Sequence, residues 1–214
     1  MLTPEQRRRL EEIARAAAQG AEPAHDFGHV RRVAALAGRI AEAEGADPAV
    51  ILPAAVLHEL FSYPKDHPDS PRSGEVCAER AADVLRGEGY APRLTEAVCA
   101  CIRDHPFSRG VVPDTLEAKV LQDADRLDAL GAVGVARCFA VAGALGRPLY
   151  DPDDPFAERR DLDDARWTLD HFARKLLRLP GTLHTGTARA LARDRAAFLD
   201  TFLAQLGREI ADQA

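Results

Sequence analysis

Residues 54–61 read AAVLHELF. The apolar run belongs to a buried helix, yet His58 and Glu59 stand side by side within it. A buried carboxylate costs several kcal/mol unless it is paired or bound to a cation. A metal ion relieves both groups at once, and it needs further ligands from elsewhere in the chain. His29 and an aspartate of the segment DAD (123–125) are available. The plain alternative is a structural His–Glu pair satisfied by its neighbours.

The sequence around this run reads as helices throughout. Thr3-Pro4-Glu5-Gln6 is a helix start, with a capping threonine, proline at the first position and glutamine at the third, so a first helix is predicted to about Gln19. A second begins near Asp26, its expected cap, carries Val30, Val33, Leu36, Ala37 and Ile40 at helical spacing, and ends around Gly45. Asp47-Pro48 opens a third, apolar on all sides and therefore central and buried. A proline-rich loop follows at about 62–74, then helices over about 75–88, 92–104, 115–142, 163–178 and 184–211. Gly131 and Gly134 are candidate breaks in the longest of these, and GRPLYDPDDPFAERRDLDD reads as a second long loop. Runs of alternating β-branched residues are few, so the fold class is all-α.

The chain has 214 residues, 46% hydrophobic and 29% charged, enough for one well-cored domain. No repeat or low-complexity linker divides it. A net charge of -6 with a pI near 5.7 argues against a broad nucleic-acid surface. The opening MLTPEQRRRLEEIA lacks the apolar core of a signal peptide, and no run approaches the length of a membrane span. Cys77, Cys99, Cys101 and Cys138 contain no CxxC pair and read as reduced packing residues. The expectation is a cytoplasmic protein that binds neither nucleic acid nor membrane.

Four stretches hold the unusual polar residues: HDFGH (25–29), LHELFSYPKDHP (57–68), RDHPFS (103–108) and LQDADRLDALG (121–131). On a helix, Asp123 and Asp125 diverge by roughly 200°, so both do not easily reach one ion. The apolar stripe of Leu116, Val120, Ala124 and Leu127 leaves both on its flanks, and geometry does not choose between them. Glu117 and Asp128 fall within the stripe, as outer acids of a metal site or as partners of basic residues.

The order of one histidine, a His–acid dipeptide about thirty residues later and a distant Ala-Asp-Arg-Leu resembles the HD-domain phosphohydrolase superfamily. The resemblance is closest to its YedJ-like bacterial subgroup. It shows in AHDFGHVRRV (24–33), PKDHP (64–68), HPFS (105–108), TLEAKVLQDADRLDALGAVGVARCF (115–139), LYDPDDPFAERRDLDD (149–164) and LDHFARKLLRLP (169–180). It implies a single helical-bundle domain over 1–214, with a metal-site core at about 20–140 and subgroup-specific C-terminal helices at about 160–212. The implied metal ligands are His29, His58, Glu59 and Asp125, the last chosen by the Ala-Asp-Arg-Leu match. Two departures stand out. The family's aspartate in the HD dipeptide is Glu59 here, one methylene longer. Relatives acting on guanosine alarmones or nucleoside monophosphates carry a catalytic glutamate three residues further on, where this chain has Ser62.

The implied site is one divalent ion between central helices, with manganese favoured and magnesium or iron as alternatives, because the ligands mix imidazole and carboxylate. The implied activity is hydrolysis of a nucleotide, foremost (d)NTP cleavage to the monophosphate and pyrophosphate. Cyclic nucleotide phosphodiesterase or general phosphatase activity is the enzymatic alternative, and a nucleotide sensor with a degenerate site is the non-enzymatic one. Glu59, His105 and Lys65 are the candidate catalytic residues, His105 for proton transfer to the leaving group. Lys65, Arg126, Arg137 and Lys175 are the candidate substrate contacts. The Asp170-His171 dipeptide belongs to the subgroup's signature, with no role assigned by its chemistry.

Overall fold

The computed structural model describes residues 3–20, 24–64 and 67–211, and all regular structure among them is helical. The helices are α1 (Pro4–Ala17), α2 (Phe27–Glu44), α3 (Pro48–Leu57), α4 (Ser73–Gly87), α5 (Pro92–Asp104), α6 (Leu116–Asp128), α7 (Gly131–Ala144), α8 (Asp170–Arg174) and α9 (Gly186–Ala211). The chain forms two compact units, Met1–Arg126 with His184–Thr187 and Leu127–Leu183 with Ala188–Ala214. No single helix among the described residues is long and apolar enough to cross a membrane.

In the first unit the starts of the helices follow the capping residues. Thr3 Oγ1 accepts from the Gln6 amide at 3.1 Å while Gln6 Oε1 accepts from the Thr3 amide at 3.0 Å, a reciprocal box. Asp26 caps α2 through the His29 amide at 2.8 Å, and Asp47 caps α3 through the Ala49 amide at 2.8 Å. Glu117 accepts the Asp47 amide at 3.0 Å, so this acid secures a loop rather than a metal ligand. The apolar helix α3 packs against α1, α2 and α5, and α4 packs on α5. Its residues Val50, Ile51, Ala54, Ala55, Val56 and Leu57 are all buried, which makes it the centre of this unit's core.

The helix of AAVLHELF stops earlier than the apolar run suggests. α3 ends at Leu57, and His58 and Glu59 occupy a turn just beyond it. Two interactions account for this. The Cys77 thiol, on α4, donates to the carbonyls of His58 at 3.1 Å and Leu57 at 3.5 Å, which a longer helix would use itself. The Leu60 amide closes a tighter turn onto the Leu57 carbonyl at 3.2 Å.

In the second unit the helix expected over 163–178 is replaced by the short α8 and a 3-10 segment, Leu176–Thr182. Buried Asp170 explains the loss. Its carboxylate accepts from Arg160 at 2.6 and 2.9 Å and from the Asp163 amide at 2.6 Å, which ties down the chain before it. Pro180 lies inside the following 3-10 segment and withholds an amide from any α-helix there. The Asp170-His171 dipeptide is thus a loop clasp, His171 Nδ1 lying 2.9 Å from Asp164. Phe139, Phe172 and Phe202 cluster with ring centroids about 6 Å apart, and they form the aromatic heart of this unit.

The long helix expected over 115–142 breaks between Asp128 and Gly131, where Gly131 takes a φ of +70°. A Cβ on Gly134 would lie 2.2 Å from the Ala129 carbonyl oxygen. Gly134→Ala is therefore expected to destabilise the protein by about 2 kcal/mol through forced backbone movement, read as a lowered midpoint in thermal unfolding. An unchanged midpoint would mean that the corner has room to relax.

Candidate metal centre

The four candidate ligands come from three places in the first unit. His29 lies on the first turn of α2, His58 and Glu59 follow α3, and Asp125 projects from α6. The Nε2 atoms of His29 and His58 are 3.2 Å apart, and Asp125 Oδ1 is 3.4 Å from His29 Nε2. The ligand atoms of His29, His58 and Asp125 all fall within 4.8 Å of one another. Both histidines are buried, while Asp125 and Glu59 keep part of their side chains exposed.

Tautomer chemistry bears on what such a cluster holds. His58 Nδ1 lies 2.8 Å from the Ala55 carbonyl, which only accepts, so Nδ1 carries the proton and Nε2 is left bare. Burial pushes the His58 imidazole down to about 4 against the opposing pull of Glu59, which keeps it neutral at neutral pH. A bare Nε2 turned toward a second ring nitrogen, with two carboxylates beside the pair, is a donor set that fits a divalent cation. Burial also opposes ionisation of Glu59, but hydrogen bonding from His25 and His29 outweighs it and holds the carboxyl well below the usual range.

Asp123 and Asp125 separate as helical geometry requires. Asp123 is fully buried and accepts from the amides of His184 and Thr185 and from the Thr185 hydroxyl, each at 2.8 Å. Both of its oxygens are engaged in fixing residues 184–185 to α6. Asp125 alone turns toward the histidines.

The remaining candidates are placed as follows. His105 caps α5, is buried, and stands edge-on to His58 with ring centroids 5.2 Å apart. Its Nδ1 lies 2.6 Å from the Ile102 carbonyl, the same i−3 device that orients His58. Arg126 follows Asp125, with its guanidinium 5.4 Å from the Phe107 ring centroid and Nη1 3.4 Å from His184 Nε2. Lys65 lies outside the described residues. Arg137 and Lys175 belong to the second unit, where Arg137 donates to buried Asp128 at 2.7 Å. Asp128 is thus the buried partner of a basic residue.

One residue of the cluster had no assignment from sequence. His25 Nδ1 is 2.9 Å from Glu59 Oε1, and His25, His29 and Glu59 form a second group that could hold an ion, sharing His29 with the first. The available signal was the i, i+4 spacing of the histidines in HDFGH together with the longer reach of a glutamate.

Residues 26–130 match the family model of the HD domain. The fold superposes on an HD-superfamily hydrolase from Bacillus thuringiensis with a TM-score of 0.74 and 31% identity, covering 96% of each chain. The chain belongs to the HD superfamily of hydrolases. Within it, the chain is 38% identical to the protein YpgQ of Bacillus subtilis (strain 168) over 190 residues, 87% of this chain and 84% of that protein. The crystal structure of YpgQ in complex with ADP matches with a TM-score of 0.73 and 36% identity, over 94% of this chain and 97% of that one.

Proposed function

We propose that this protein is a metal-dependent phosphohydrolase of nucleotides that cleaves (d)NTPs to the monophosphate and pyrophosphate. The convergence of His29, His58 and Asp125 on one point carries the proposal, since three donors within 4.8 Å suit one ion. The ADP complex of YpgQ supports a nucleotide as the ligand class. Glu59 is the fourth proposed ligand, and one HD-type domain over 1–214 is the proposed functional body.

A bound divalent cation, manganese first and magnesium or iron next, supplies Lewis-acid polarisation of a phosphoryl group and a more acidic bound water. The side chains do the rest. His58 presents a neutral nitrogen fixed by its Ala55 bond, and His29 presents a second imidazole beside it. Asp125 and Glu59 offset the cation's charge in a largely buried setting. His105 stands beside His58 and is the proposed donor of a proton to the leaving group. Arg126 and Lys65 are the proposed phosphate contacts. Arg137 and Lys175 belong to the second unit, and the proposed chemistry does not require them.

One observation favours a second reading. Glu59 Oε1 lies closer to His25, at 2.9 Å, than to His29, at 3.7 Å, and a carboxylate kept by His25 instead of an ion would leave a pocket that binds a nucleotide without cleaving it. A panel of nucleoside triphosphates, diphosphates, monophosphates and cyclic nucleotides with manganese or magnesium separates the outcomes. The expected result is cation-dependent release of pyrophosphate and monophosphate from triphosphates, resolved by chromatography. Turnover of monophosphates or cyclic nucleotides alone would move the protein to another branch of the same chemistry. Binding without turnover would make it a sensor.

A further inference from the structure

We propose that Phe107 is a positioning residue for Arg126, its ring holding the guanidinium by cation–π attraction where a substrate phosphate is bound. The inference rests on the phosphate contact proposed above for Arg126, and both residues lie in the first unit. The Arg126 guanidinium stands over the Phe107 ring, 5.4 Å from its centroid, within the range of a cation–π contact. Such a ring attracts the cation without forming the bidentate fork that a carboxylate forms. The guanidinium therefore keeps its match to phosphate oxygens.

A nearer polar group does not take over this task, because the hydrogen-bond network fixes its tautomer. Gln122 is fully buried on α6, and its Nε2 donates to the carbonyls of Asp104 at 2.7 Å and Val111 at 2.8 Å. Both carbonyls only accept, so the amide orientation is settled, and Gln122 Oε1 faces His184 Nε2 at 2.8 Å as the acceptor. His184 Nε2 thus carries a proton and has no lone pair to offer. It accepts nothing from Arg126 Nη1 at 3.4 Å, and the two groups meet donor to donor.

The same glutamine puts the ring in place. Asp104 and Val111 bracket the loop that carries Phe107, and Gln122 ties both to α6 one helical turn before Arg126. Within the loop, the Arg109 amide bonds the Pro106 carbonyl and the Gly110 amide bonds the Phe107 carbonyl, each at 3.1 Å. Phe107 is presented on this closed turn at 42% exposure, two residues after His105. A smaller side chain there removes the ring without opening a cavity in the core.

The test is calorimetric binding of inorganic tripolyphosphate, which has no base, to the full-length protein in manganese. Hydrolysis kinetics of nucleoside triphosphates run beside it, and thermal unfolding checks folding. Phe107→Leu should weaken tripolyphosphate binding and raise KM by about fivefold, with a much smaller change in kcat. Phe107→Tyr keeps the π face and should restore both. In an Arg126→Gln background the ring has no charge to attract, so Phe107→Leu should cost less than about twofold. Tripolyphosphate binding by Phe107→Leu equal to that of wild type would overturn the inference and leave the proposed activity standing. A loss confined to nucleotides would do the same, by making the ring a platform for the base. So would failure of the tyrosine to restore binding, or an undiminished loss without Arg126, since either reduces Phe107 to packing. A wild-type protein that binds neither tripolyphosphate nor nucleotides would overturn the proposed function itself and this inference with it.

Discussion

Replacing His58 by alanine is expected to abolish detectable manganese binding and, with it, nucleotide hydrolysis. His58 is buried, neutral, and oriented by its own helix end, with its bare Nε2 at the middle of the donor cluster. An alanine leaves His29 and Asp125 as an incomplete remainder of the three donors that converge there. The affinity loss should exceed the 10–100-fold that outer partners of a ligand contribute. The variant also opens a cavity, at a cost of about 2–4 kcal/mol. Stability alone is therefore uninformative, and metal content must be measured on the folded protein. Elemental analysis and manganese titration of both proteins decide the matter. Equal and negligible binding by the two would leave a buried histidine cluster without a metal role.

Glu59→Gln should have an effect nearly as large, and Glu59→Asp a small one. The amide keeps the shape of glutamate but removes the charge, and a neutral amide oxygen is a poorer ligand for a hard cation. It also weakens the charged hydrogen bonding from His25 and His29 that holds the acid ionised. Metal affinity and turnover should both fall by an order of magnitude or more. The aspartate variant recreates the family's dipeptide and should keep its metal, with turnover equal to wild type or higher, despite losing the 2.9 Å contact with His25. A purely structural His–Glu pair gives another pattern. There, Glu59→Gln would lower the melting temperature while metal content and activity stayed as they were. If the glutamine variant binds metal and turns over like wild type, Glu59 is not a ligand.

Most of the fold was legible because local chemistry announced it. Thr3, Asp26 and Asp47 cap the helices they precede, and the apolar faces of α2 and α3 are buried as their spacing requires. The failures occur where a distant partner overrides a local pattern. Residues 163–169 have helical composition, yet Asp170, Arg160 and the Asp163 amide bind one another across the loop. The end of α3 depends on Cys77, twenty residues further along, whose thiol no periodicity reveals as a hydrogen-bond donor.

The site shows the same division. Three side chains from separate parts of the chain were identifiable by order and type, and they meet in space. The choice between Asp123 and Asp125 was not available from helical geometry. It depends on Thr185 and His184, which occupy Asp123 from a segment some sixty residues away. His25 escaped assignment because its contact with Glu59, at 2.9 Å, joins residues 34 positions apart, which no local pattern announces.

Anomalous diffraction from crystals equilibrated with manganese, collected at the metal's absorption edge, tests the centre most directly. One peak per chain is expected, within coordination distance of His29 Nε2, His58 Nε2 and a carboxylate oxygen of Asp125, with Glu59 completing the protein ligands. Crystals that diffract well and show no peak among these four residues, or show manganese bound only elsewhere, would contradict it.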